Sequence, residues 1–183
     1  MRETSISGIP ETNHQGGTVK KLILSTGAAA VLLAAVVASA LAAGTTVPKP
    51  KPIAFVGSYS GTAVTNATDN VVSIKANGTG TGTLLGAGKI VGVGSGDSSV
   101  QPCVPFTGTG NMTGPGGSII FKVLPGSSGC GDEQGQLFTV SAKAVILKAT
   151  GKLLKRKGTL RITGTFDRSS GAFSAKFRGT LVK

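Results

Sequence analysis

Residues 159–181, TLRITGTFDRSSGAFSAKFRGTL, alternate apolar and polar side chains on both sides of a short polar turn. Leu160, Ile162, Gly164 and Phe166 face one way; Thr159, Arg161, Thr163 and Thr165 face the other. After the turn at 167–171, Phe173, Ala175, Phe177, Gly179 and Leu181 share a face, with Ser174, Lys176, Arg178 and Thr180 opposite. Successive side chains of a strand point to opposite faces, so two such runs around a glycine-ended loop make a β-hairpin. The period recurs at Ile53, Phe55, Gly57 and Tyr59, and again at Phe138, Val140, Ala142 and Ala144, while 71–76 is a β-branched run. The Ala-Val-Ile-Leu centre at 144–147 also suits a short helix, but its length and flanks favour a strand. No segment past residue 43 carries a convincing helical period. The middle, GTGTGTLLGAGKIVGVGSG and FTGTGNMTGPGGSIIFKVLPG, sets glycine within strand patterns, the mark of bulges, bends or close backbone approach. Many short alternating runs bounded by glycine-rich turns predict an all-β sandwich or barrel. About 130 residues supply roughly eight strands, and a single antiparallel barrel is favoured because it leaves no exposed edge.

The front of the chain has a different character. Residues 22–43, LILSTGAAAVLLAAVVASALAA, are uncharged and follow directly on Lys20 and Lys21. A positively flanked apolar run reads as an export signal, and Ala38-Ser39-Ala40 and Ala40-Leu41-Ala42 offer small-residue cleavage patterns. An uncleaved anchor is the alternative, since about 20 apolar residues span a bilayer. A long leader carrying Glu3 and Glu11 precedes the run. In both cases the lysines hold the N-terminus inside, and the remainder faces out of the cytoplasm, secreted or membrane-anchored. PKPKP, 48–52, is a stiff extended spacer. The expected organisation is a cytoplasmic leader at 1–21, signal or anchor helix at 22–43, Pro/Lys linker at 44–52 and β-barrel domain at 53–183. Cys103 and Cys130 are the only cysteines, and an even count in an exported domain predicts a disulfide. Closing that loop stabilises the fold by about 3.5 kcal/mol in the chain-entropy model.

Chemistry is scarce. The single histidine is His14, in the leader, so the exported part offers no histidine base, Ser-His-Asp triad or histidine metal site. Paired cysteines leave no thiolate nucleophile. Only Asp132 and Glu133 are adjacent acids, and neighbours on a strand point to opposite faces. GTGNMTG at Gly108, Gly110 and Gly114 misses the dinucleotide spacing by one residue, and GAGKI around Lys89 lacks the magnesium-binding hydroxyl of a P-loop. No catalytic residues, cofactor or metal are expected, and the domain reads as non-catalytic.

Charge is the remaining signal. Past Ala43 stand sixteen Lys and Arg against five acids, Asp69, Asp97, Asp132, Glu133 and Asp167. LLKRKG, 153–158, puts three cations in a row. It reads either as a solvated turn whose lysines discourage edge pairing or as part of an anion-binding face. The hairpin register sets Arg161 opposite Lys176 or Arg178, and like charges directly opposite destabilise a sheet. A patch of Lys155, Arg156, Lys157, Arg161, Lys176 and Arg178 is therefore a candidate site for lipid headgroups, envelope phosphates or an acidic partner. Nucleic acid is a poor partner: the chain has no Trp and one Tyr, so base stacking has little to work with.

TGKLLKRKGTL, 150–160, resembles the T-G-K-F-x-x-A-x-G signature of dirigent proteins, which share a barrel with allene oxide cyclase. TGTFDRSSGAFSAKFRGTL resembles the closing hairpin of small exported barrels of that kind. Leu153 stands where that family has an aromatic, and Arg156 where it has a small residue. The resemblance implies an eight-stranded barrel with an apolar ligand pocket and carries over no functional residue. The leading expectation is capture of a small apolar ligand inside the barrel beside Phe166, Phe173 and Phe177, where Gly164, Ala175 and Gly179 leave space. The alternative is an envelope-surface module that binds polyanions through the basic C-terminal face, with membrane contact through residues 22–43 where they are retained.

Overall fold

The computed structural model describes residues 50–183. The leader, the apolar run and nearly all of the linker, with the expected signal or anchor helix, lie outside the described residues. Strand-rich sequence becomes strand almost throughout: β1 (Ile53–Thr68), β2 (Val71–Gly82), β3 (Gly86–Asp97), β4 (Cys103–Gly114), β5 (Gly117–Val123), β6 (Ser128–Gly131), β7 (Leu137–Ala149), β8 (Lys157–Asp167) and β9 (Ala172–Val182). The segment at 144–147 is strand, within β7.

All neighbours are antiparallel, in the order β3-β2-β1-β9-β8-β7-β5-β4, and β3 also pairs with β4, so the sheet closes into a barrel. β5 and β6 share one position between β4 and β7, which makes eight staves of nine strands. Barrel rather than sandwich is thereby settled, and no sheet edge is left to template aggregation. The divided stave has a local cause. Pro125 has no N–H for a ladder and Gly126 takes φ +81. Buried Ser127 bridges the gap. Its hydroxyl donates to the Leu124 carbonyl at 2.7 Å and accepts from the Lys143 N–H at 3.2 Å, while its carbonyl accepts from Phe106 N–H at 3.1 Å.

One half of the barrel is packed solid. Phe55, Tyr59, Ile90, Met112, Phe121 and Phe177 form a continuous buried cluster with the aliphatic side chains of β5, β7 and β8. The rings of Tyr59 and Phe121 both meet Phe177 edge-on, at centroid distances of 5.8 and 5.6 Å, a favoured geometry for aromatic pairs. These rings fit because three of the six inward positions on each of β2 and β4 are glycine: Gly78, Gly80 and Gly82, and Gly108, Gly110 and Gly114. A Cβ added at Gly80 would lie 2.7 Å from the Tyr59 ring, and one at Gly110 would run into the Phe121 ring. Glycine on these strands is the space the aromatics occupy.

Three turns plug this end. Leu85, between β2 and β3, and Leu153, in a 3-10 turn over Gly151–Leu153, are both fully buried. They meet through the turn between β4 and β5: Gly116 N–H donates to the Leu85 carbonyl at 2.9 Å, and Lys152 N–H donates to the Gly116 carbonyl at 2.8 Å. Thr150 Oγ1 accepts from Ser118 N–H at 3.0 Å. The Thr-Gly-Lys stretch is thus a barrel-closing turn, with Leu153 its stopper. The unit from Thr46 to Lys183 contains this whole core and all the strand pairing.

Leu153→Ala is expected to cost about 2–5 kcal/mol, the range for emptying a buried leucine site. Its neighbour Leu154 is 56% exposed, so Leu154→Ala should stay within about 0.5 kcal/mol. Guanidinium unfolding of the two variants measures the difference.

Candidate functional site

The other half of the barrel is hollow. A cavity of about 280 Å³ opens at the end formed by the β1–β2, β3–β4, β6–β7 and β8–β9 connections. Its walls come from the same inward faces as the core, but with smaller residues: Ala63 and Ala67 of β1, Ala76 of β2, Gly96 of β3, Gly129 of β6 and Ala175 of β9. The large apolar side chains that enter are Val72 and Ile74 of β2 and four phenylalanines, Phe106, Phe138, Phe166 and Phe173. Phe106, Phe173 and Ala175 also pack against the buried cluster, so they form the floor. Phe138 and Phe166 sit opposite one another across β7 and β8, ring centroids 6.4 Å apart. Ser98, Gln101 and Arg168 supply polar groups to the lining.

The mouth is held by a ring of hydrogen bonds between its loops. Ser98 N–H donates to the Asn70 carbonyl at 2.8 Å, tying the β3–β4 loop to the β1–β2 turn. Gly131 N–H reaches the Pro102 carbonyl at 3.0 Å, and Arg168 N–H reaches the Gln136 carbonyl at 2.9 Å. Ala63 N–H donates to Gly171 at 2.7 Å and completes the circuit. Cys103 and Cys130, facing each other across β4 and β6, add a covalent link in the same collar. Such a disulfide is consistent with an oxidising compartment. Small residues leave the space, and the collar keeps it from collapsing.

Aspartates brace three of these loops. Asp97 Oδ1 accepts from Ser99 N–H at 3.0 Å and Ser99 Oγ at 2.6 Å. Asp167 Oδ1 accepts from Ser169 N–H at 2.8 Å, Ser169 Oγ at 2.6 Å and Ser170 N–H at 3.2 Å. Hydrogen bonds to the charged form favour it: those from Ser99 lower the Asp97 pKa, and those from Ser169 and Ser170 bring Asp167 from 3.8 down to about 2. Asp132 Oδ1 similarly accepts from Gln136 N–H at 2.8 Å. These carboxylates are turn caps. Among the described residues, no group of three His, Cys, Asp or Glu gathers into a metal-binding arrangement.

The sequence-predicted pocket residues divide. Phe166 and Phe173 line the cavity. Phe177 does not: it is 2% exposed and lies in the packed half between Tyr59 and Phe121. Period two correctly assigned its face, but position along the strand decides whether that face meets core or cavity. Of the spacing residues, Gly164 and Ala175 border the cavity, whereas a Cβ at Gly179 would lie 2.9 Å from Leu160 Cδ2. Phe106, Phe138 and Arg168 also line the cavity, and no sequence pattern assigns them to it. Phe138 had the right period, yet no local pattern says that β7 begins at the same end as β9.

The predicted basic patch spreads over two surfaces. Lys155, Arg156 and Lys157 lie at the plugged end, in and beside the turn that carries Leu153. Arg161 stands directly opposite Arg178, and on its other side opposite Lys143, making a three-cation ladder on the outer wall. Lys176 pairs with Thr163. Arg156 is partly engaged, its Nη1 donating to the Lys51 carbonyl at 3.3 Å and reaching the Leu181 carbonyl at 3.5 Å. Set against known proteins, the chain matches no family model, no curated protein and no solved structure.

Because the Asp167 pKa falls on folding, its bonds to the β8–β9 turn add stability above about pH 4 that is lost as pH drops through 2. Carboxyl NMR titration should give Asp167 a midpoint near 2. Asp167→Asn should weaken that acid dependence.

Proposed function

We propose that this chain is an exported, non-catalytic carrier that holds a small apolar molecule in the open half of its barrel. The observation that carries this reading is the cavity of about 280 Å³ with four phenylalanines in its lining and a hydrogen-bonded, disulfide-linked mouth. Ligand sites are typically concave, mostly apolar, largely pre-formed and supplied with few polar groups. A fixed mouth also lowers the ordering cost of binding. The chamber opens through its mouth to solvent, so an apolar molecule can enter it and bury surface against the phenylalanine walls. The disulfide and the charge-free run at 22–43 both support export, and the resemblance of 150–160 to the dirigent signature supports the same barrel-with-pocket reading.

N-phenyl-1-naphthylamine, a neutral fluorophore that brightens in apolar surroundings, tests the proposal. One equivalent should bind with enhanced emission, and Ala76→Phe, which fills the cavity from β2, should abolish the signal while the barrel stays folded. Binding should change little between low and high salt, because burial of apolar surface is not screened. Undiminished binding to the Ala76→Phe variant would remove the cavity from consideration.

A further inference from the structure

We propose that the plugged end of the barrel is a membrane-docking face, which lays a basic collar and two exposed leucines on an anionic bilayer and turns the cavity mouth away from it. The charges of the barrel are sorted along its axis. All five acids of the described residues, Asp69, Asp97, Asp132, Glu133 and Asp167, lie in or beside the mouth connections. The plugged end carries none of them, and gathers Lys51, Lys152, Lys155, Arg156, Lys157 and Lys183. Near a negative surface such a distribution turns the basic end inward and the acidic end outward.

Charge alone would suit any polyanion. The mouth also exposes apolar side chains, Val71, Val100 and Leu137. Only at the plugged end do exposed leucines stand among the cations, which favours a bilayer. Two Leu-Leu pairs stand at this end. In each, one leucine plugs the barrel, Leu85 and Leu153, and its neighbour is presented to solvent, Leu84 at 41% and Leu154 at 56% exposure. Leu84 takes φ +66, and Lys155, next to Leu154, takes φ +62, left-handed backbone that residues with side chains rarely adopt. The two turns are joined through Gly116, so both leucines project from one linked platform. Apolar side chains set among lysines are the composition of surfaces that enter the headgroup region of anionic membranes.

The route of the chain agrees. Lys51 enters at this end, its carbonyl held by Arg156. Only six residues, 44–49, separate Pro50 from the apolar run at 22–43, a reach of about 20 Å at full extension. Retention of that run as an anchor would bring this end, not the mouth, to the lipid.

The chain has no native Trp, so a single introduced indole reports its own position. Leu84→Trp, Leu154→Trp and, as the mouth control, Val100→Trp on the exposed β3–β4 loop are made in the full-length chain. Each is mixed with vesicles of phosphatidylcholine and phosphatidylglycerol with brominated acyl chains. The indoles at 84 and 154 should be quenched and the one at 100 should not. Replacing Lys152, Lys155 and Lys157 by Glu should weaken the quenching roughly tenfold or more. Raising salt should weaken it without any charge substitution. Indoles at 84 and 154 that are unquenched, or quenched no more than the one at 100, overturn the proposal. Quenching indifferent to both salt and charge reversal overturns the role of the collar. Competition by inorganic polyphosphate without any acyl-chain quenching would instead identify a soluble polyanion site, and would equally overturn bilayer docking.

Discussion

The fit of aromatic rings onto inward-facing glycines is the contact on which the rest of this barrel depends. A narrow barrel cannot bring large side chains inward from every stave. Here Tyr59 lies over Gly80 and Gly82, Phe121 over Gly110 and Phe173 over Gly78. Glycine in a strand interior costs conformational entropy, and the burial of a ring against it offsets that cost. Where rings are stacked deep, around Phe177, the interior is full. Above Phe106 and Phe173 the rings of Phe138 and Phe166 stay at the wall, facing small residues such as Ala63, Ala67 and Gly96, and the interior is hollow.

This explains what was legible in the sequence. Period-two alternation assigned inward and outward faces correctly for β8 and β9, from Leu160 to Leu181, and the absence of any 3.6 period excluded helices from the domain. Barrel closure was inferred from the cost of an exposed edge, and β3 pairing with β4 supplies it. The failures share one physical origin. Height along the barrel axis depends on stagger among strands distant in sequence, which no local pattern encodes. Phe177 and Phe173 share a face and differ by four residues, yet one is core and the other cavity wall. The LLKRKG stretch similarly looked like a charged turn, while its decisive residue was the uncharged Leu153 at the bottom of the barrel.

Charge follows the same axis. A net positive chain need not be uniformly positive, and here Asp97, Asp132 and Asp167 serve as hydrogen-bonded caps of the mouth turns while cations collect beside the plug. The Arg161–Arg178 pair on the outer wall is a like-charge contact of the kind that weakens a sheet. It persists because the sheet around it is closed, and register is fixed by the buried faces rather than by the outer pairs.

The division between the solid and hollow halves has a consequence for how such a chain can change over time. Substitutions at Ala67 or Ala76 alter the shape of the chamber, whereas those at Phe121 or Leu153 alter the support of the fold. A lineage built on this plan can therefore retune what fits the upper chamber, one alanine at a time, while its capacity to fold is kept in separate residues.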